Sequence, residues 1–200
     1  MKKISFYLLL FTLTSCKWEE PSFNTLFDMV LIDGGSFDMG RRANDNILDT
    51  QKRDDEVPVH AVTLAEWEFA ARGGNKSQGF IFAGSNSLAE VGWYDANSGR
   101  STRPGGQKQA NELGLYDMSG NVWEWCSDWY GPYSKEPATN PKGPSAPSQG
   151  AVHVHRGGSY MYGSSYCRIT YRGGHIFVTT PNVETFTNYT IGFRLAADAK

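Results

Sequence analysis

An α+β fold with short, loop-dominated sheets and few helices is what this sequence predicts, and three observations predict it. Glycine and proline together supply 31 of 200 residues, too many interruptions for long helices. The apolar residues recur mostly in short alternating runs, the period of half-buried strands, and only one stretch carries a helical signature. Twenty-seven aromatic residues, with hydrophobic residues at 40% and charged residues at 20%, place the chain among proteins that bury a core and exclude disorder throughout. A net charge of −2 provides no basic stripe for phosphates, so no nucleic-acid partner is expected.

The first fifteen residues differ from the rest. Lys2 and Lys3 precede an apolar run from Phe6 to Leu13, followed by Thr14, Ser15 and Cys16. The run is too short to span a bilayer, and its order is that of a secretion signal. It resembles a bacterial lipoprotein signal, which implies cleavage before Cys16 and lipidation of Cys16. Residues 16–28 would then be the lipidated cysteine and its linker, with the membrane engaged through the lipid anchor. Lys17 and Trp18 after the cysteine give no acidic retention signal, so the expected location is the outer membrane and cell surface.

Residues 29–200 form one domain. Residues 29–32 read as a strand, Asp33-Gly34-Gly35 as a turn, and residues 35–40 as the returning strand. Residues 41–56 are polar, aperiodic and expected in a surface loop. Residues 57–64 alternate like a strand with Pro58 near its start. Residues 63–72 predict a helix, with Thr63 as N-cap, Glu66 completing a capping box, and Gly73-Gly74 as the stop. Beyond it come short strands and turns, with a Pro/Ser/Gly-rich loop over residues 131–150.

The better-defined enzyme signatures are missing. The chain holds no CxxC, HExxH, GxSxG or phosphate-loop pattern. Besides Cys16 there are two cysteines, Cys126 and Cys167, which could pair, stay buried or ligate metal. His153 and His155 share a strand face, but two ligands of one type rarely make a metal site.

Five strings carry a family resemblance: Gly34-Gly-Ser-Phe-Asp-Met-Gly40, Ala65-Glu-Trp-Glu-Phe-Ala-Ala-Arg-Gly-Gly74, Gly114-Leu-Tyr-Asp-Met-Ser-Gly-Asn-Val-Trp-Glu-Trp125, Arg156-Gly-Gly-Ser159 and Ile191-Gly-Phe-Arg194. In this order they resemble the successive blocks of the formylglycine-generating enzyme (sulfatase-modifying factor) family. The resemblance implies a C-type-lectin-like fold. Two departures matter. The family places some dozens of residues, with two helices, between the counterparts of Leu64 and Ala65, which here are adjacent. The family's oxidase site resembles Gly-Gly-Ser-x-x-Cys-x-x-x-x-Cys, two thiolates suited to copper; here the first is Tyr162 and only Cys167 remains. The expectation is therefore a protein that is not an enzyme and requires no cofactor.

The block from Gly114 to Trp125 resembles a calcium site of the family, which on this chain would use Asp117, Gly120, Val122 and Glu124, hard oxygens for a hard ion. The alternative is that Asp117 caps a turn and Glu124 pairs with a buried arginine.

The C-terminal stretch has the composition of binding loops, where tyrosine gives contact area and small polar residues adapt. Between residues 157 and 193 the only charged residues are Arg168, Arg172 and Glu184. Tyr160, Tyr162, Ser164, Ser165, Tyr166, Tyr171, His175, Phe177, Thr179, Thr185, Phe186, Asn188 and Tyr189 are the candidate ligand-binding residues, with residues 156–159 and 191–194 as fixed scaffold. The whole chain, signal included, is similar to the variable lipoproteins of the Treponema type that retroelements diversify by randomising adenines. From asparagine codons that process never yields Lys, Gln, Trp, Met or Glu. Residues 162–190 lack the first four and hold one glutamate, Glu184. The resemblance implies a non-catalytic surface lipoprotein binding a protein or other surface ligand through a hypervariable region over residues 157–193. Two alternatives are an oxygen-dependent modifying enzyme using Cys167, and a structural envelope lipoprotein with a fixed partner.

Overall fold

The computed structural model describes residues 32–33, 36–39, 60–63, 67–146, 151–175 and 189–196. Strand β1, Ser36–Met39, pairs antiparallel with β2, His60–Thr63. Next come a short helix α1, Trp67–Ala71, and another, α2, Leu88–Val91. Then follow β3 (Trp123–Trp129), β4 (Ala138–Thr139), β5 (Ala151–Arg156), β6 (Gly173–His175) and β7 (Ile191–Phe193). One sheet has the order β1-β2-β4, the other β6-β5-β3-β7. Both are mixed, since β2–β4 and β3–β7 run parallel. The predicted class, loop-rich with few helices and small sheets, is the observed one. Among the described residues no helix is long and apolar enough to cross a membrane.

The predicted helix over residues 63–72 is shorter at its N-terminal end. Thr63 is not its cap: it closes β2, in register with Ser36 and Thr139. Ladder pairing on two sides outweighed one side-chain cap. Glu66 lies outside the described residues, as do Pro58 and the predicted loop 41–56. The stop is where the sequence placed it, with Gly73 at φ 90°. The first predicted strand is described only at Ile32, which is buried. Of the loop 131–150, the described part holds only the two-residue β4.

Helix α1 carries the main core. Phe69, Ala70 and Ala71 pack with Ile32, Ala83, Leu115, Met118 and Ile169, while Trp67 and Leu113 close the edge. Emptying such a site by Phe69→Ala costs about 3–5 kcal/mol. A second cluster joins Phe82, Leu88, Val91 and Cys167.

Strands β3 and β5 have two unlike faces. Cross-strand partners share a face, so Trp125 and His155 lie on one and Glu124 and Arg156 on the other. On the second face Glu68 of α1 is 1% exposed, with Arg72 at 2.8 Å on one carboxylate oxygen and Arg156 at 3.1 Å on the other. Arg156 also donates to the Ile169, Thr170 and Tyr171 carbonyls at 3.3–3.4 Å and to the Tyr133 hydroxyl at 3.1 Å. Arg172 donates to the Gly131 carbonyl at 2.7 Å and lies 3.7 Å over the Tyr133 ring. This network borders a cavity of about 750 Å³ that Trp67, Glu68, Tyr133, Arg156 and Arg172 help to line.

The Tyr133 side chain is half-buried, but its hydroxyl end is enclosed beside Arg156. Burial pushes this phenol up to about 12, the positive charge of Arg156 offsetting part of the effect. The folded chain therefore holds the proton more tightly than the unfolded chain, whose phenol titrates near 10. The contribution of this phenol to stability is full below pH 10 and is lost as pH rises through about 12. Urea unfolding across this range should show the decline, and Tyr133→Phe should flatten it.

Candidate functional site

Trp123 is the centre of the other face. It is 3% exposed, fixed by its own N–H to the Thr190 carbonyl at 2.8 Å. Among the described residues its ring has four aromatic neighbours: His155 at 4.8 Å, Tyr171 at 5.5 Å, Tyr162 at 5.7 Å and Tyr166 at 6.5 Å between centroids. Tyr162 and Tyr166 lie 5.2 Å apart at 56°, and Tyr166 and Tyr171 5.1 Å apart at 53°. Such tilted, edge-on arrangements suit ring quadrupoles and hold the rings in place.

The backbone beneath these rings is held by groups other than their side chains. The Tyr162 N–H donates to the Ser159 carbonyl at 3.0 Å, and the Asp95 N–H donates to the Tyr162 carbonyl at 3.2 Å. Residues Ser164–Cys167 form a 3-10 turn in which the Tyr166 N–H donates to the Gly163 carbonyl at 3.0 Å. Arg168, 1% exposed, turns inward and donates to the Ser165 carbonyl at 3.0 Å and the Thr170 hydroxyl at 3.2 Å. Gly158, at φ 74°, admits no side chain, because a Cβ there would meet the Cys167 sulfur at 2.5 Å.

Of the candidate binding residues, Tyr162, Ser164, Ser165 and Tyr166 are half-buried and gathered together, and Tyr189 is 77% exposed. Tyr160 and Tyr171 are corrections. Both are buried, Tyr160 on a backbone bonded to Asn121 and Ser98, and Tyr171 against Trp123, so they support the surface and offer no face to a ligand. Composition could not separate them from the outward tyrosines, because in this segment of turns no strand period sets which side chains point in. His175 closes β6, opposite Ala151, and its side chain lies outside the described residues, as do Phe177, Thr179, Thr185, Phe186 and Asn188. Of the two blocks read as scaffold, residues 156–159 are buried, whereas Phe193 of the other is 62% exposed. Two residues were missed. Trp123 stands in a block read as structural, and Asp95 stands in a loop with no motif.

Cys167 is fully buried beneath Gly158, and burial pushes its thiol well above the ordinary range, the Asp95 charge adding to this. Cys126 and Cys167 are not joined by a disulfide, so of the readings left open the pairing is not realised. Among the described residues no group of three or more His, Cys, Asp and Glu side chains could hold a metal ion.

Of the candidate calcium residues, the Glu124 carboxylate is taken up by other partners. Both Glu124 oxygens accept from the Arg194 Nε at 2.8 Å, and one also accepts from the Trp67 indole N–H at 2.8 Å. Asp117, at φ 56°, accepts the Gly106 N–H at 2.8 Å, and burial pushes its carboxyl up, which disfavours the charged form a cation needs. The Gly120 N–H donates to the Gly157 carbonyl at 2.6 Å, and Val122 is half-buried. Of the alternative reading, the pairing of Glu124 with an arginine, Arg194, is observed.

The sulfatase-modifying factor enzyme 1-like domain family matches residues 62–199. The chain belongs to this family. Within it, the formylglycine-generating enzyme of Streptomyces coelicolor is 39% identical over 153 residues, 68% of this chain and 46% of the enzyme. The protein named chaperone LppX of Paenibacillus barcinonensis is 36% identical over 151 residues, 66% of this chain and 50% of its own. The chain thus spans about half the length of these relatives. Among solved structures, the Treponema denticola variable protein 1 is 34% identical with a TM-score of 0.55, covering 67% of this chain and 45% of that one. PvdO of Pseudomonas aeruginosa, 19% identical with a TM-score of 0.63 over 86% of this chain and 94% of its own, shares the fold. In this family member the motif position of the first thiolate is Tyr162, a half-exposed phenol, and the second is a thiol sealed from solvent.

With native protein at pH 8, a maleimide probe should leave Cys167 unlabelled, and guanidinium denaturation should expose it to full labelling, read by peptide mass mapping. Rapid native labelling would mean that the site opens.

Proposed function

We propose that this chain is a surface-anchored lipoprotein that recognises a protein or other surface ligand through its C-terminal tyrosine surface, performs no catalysis, and has that surface diversified by a retroelement. The observation that carries the reading is the set of half-exposed side chains at 162, 164, 165 and 166 on a backbone whose hydrogen bonds come from Ser159, Gly163, Asp95 and Arg168. Side chains so mounted can change without changing the loop that presents them. Preorganisation of this kind raises affinity by reducing the ordering cost of binding. The similarity to the Treponema denticola variable protein 1 and the signal-like start before Cys16 support the same reading.

The identity to formylglycine-generating enzymes favours a second reading, a modifying oxygen-dependent enzyme. Two-thiolate copper chemistry has no counterpart here, because a phenol replaces one sulfur and burial keeps the other protonated. Stoichiometric copper binding through Cys167 with oxygen consumption on a thiol peptide would promote this reading.

Partner capture with the purified chain, followed by single substitutions, tests the first. Tyr162→Ala and Tyr166→Ala should each weaken binding by about 2 kcal/mol, roughly thirtyfold, as central aromatic anchors do. Unchanged binding across Tyr162, Tyr166 and Tyr189 would sink the proposal.

Protease applied to intact cells should degrade the protein, and Cys16→Ala should release it in soluble, folded form. Survival in intact cells with loss after lysis would place it inside the envelope instead.

A further inference from the structure

Resting on the reading that this surface binds a ligand, we propose that Tyr162, Tyr166 and Asp95 together form a receptor for a cationic group, an ammonium or guanidinium carried by that ligand. The two rings stand at 56° with 5.2 Å between centroids, walls of a notch and not a flat stack. Ring faces carry the negative part of the quadrupole and attract a cation placed over them. Asp95 supplies the formal charge. It is exposed, its N–H holds the Tyr162 carbonyl, and its Oδ2 lies 3.7 Å from where a Cβ on Gly163 would sit. The carboxylate therefore borders the turn that joins the two tyrosines.

The surroundings favour one sign of charge. Arg168 and Arg172, the cations of the neighbouring segment, are 1% and 5% exposed and spend their donors inward, on Ser165 and Thr170 and on Gly131. The Tyr162 phenol is pushed up by burial and by the nearness of Tyr166 and Tyr189, so it stays neutral and the ring keeps its polarity. Tyr189, 77% exposed, lies within electrostatic reach of Tyr162. Asp95 stands outside residues 157–193. It is thus the constant element of the receptor: the tyrosines set shape, and the carboxylate sets charge.

The experiment titrates the purified full chain with choline, N-acetyl-lysine methylamide, N-acetyl-arginine methylamide and the neutral choline isostere 3,3-dimethylbutanol, followed by tryptophan and tyrosine fluorescence. Saturable binding of at least one cation with weaker binding of the neutral isostere is expected. Asp95→Asn, an exposed change whose unaltered Tm certifies the fold, should weaken it about tenfold. Preference for choline would point to a lipid or polymer headgroup as the source, and preference for the amides to a basic peptide; either supports the proposal. Equal binding of the isostere, unchanged binding by Asp95→Asn, or no cation binding up to about 50 mM would overturn it. If the isostere binds equally and Tyr166→Ser removes that binding, the cationic class fails while the recognition surface stands. If no probe binds and partner capture is also insensitive to Tyr162, Tyr166 and Tyr189, both fail.

Discussion

The Glu68 carboxylate, buried between Arg72 and Arg156, is the interaction on which the architecture depends. Through it the five-residue helix α1 is joined to β5, and through Arg156 to the carbonyls of residues 169–171 and to Tyr133. Charges taken out of water are costly, and a buried pair broken by removal of one partner typically costs 3–5 kcal/mol. The arrangement is tolerable because the carboxylate meets two guanidiniums and the Arg156 donors reach further acceptors. A chain with so little regular secondary structure gains from it a fixed geometry among segments that are distant in sequence.

The same two strands divide the molecule's work by face. Glu124 and Arg156 look towards α1 and the ion pairs; Trp123, with His155 against it, looks towards the tyrosines. Polar bonding on one side sets where β5 and the turns after it lie, and aromatic packing on the other sets how rings emerge from those turns. Trp123 belongs to both tasks: its amide is part of the β3–β7 junction at Thr190, and its ring is the floor under Tyr162 and Tyr166.

Much of this was legible in the sequence, and unevenly so. The fold class followed from glycine, proline and short alternating runs, and the family from five ordered blocks. The helix stop at Gly73 was readable because it depends on one residue's backbone freedom, whereas Thr63 was misread because a local cap competes with sheet pairing to strands far along the chain. Composition found the tyrosine region but not which tyrosines face out: Tyr160 and Tyr171 are indistinguishable from Tyr162 and Tyr166 by type, and only the turn geometry separates them. Asp95 could not have been found, since its role comes from a single backbone bond across 67 positions.

The inward turn of Arg168 has a consequence for how such a protein evolves. A loop propped from within by a buried guanidinium, and closed by a glycine against a buried sulfur, draws its backbone support from interior groups rather than from its outer side chains. On the proposed reading, changes at 164 and 165 would alter recognition at little cost in folding free energy, whereas changes at 162 and 166 also give up packing against Trp123. Most proteins trade new specificity against stability, because the residues that contact a ligand also contact the core. On the proposed reading the loop backbone is held by atoms other than those that would meet a ligand, so a lineage could vary the outer side chains with less loss of folded protein.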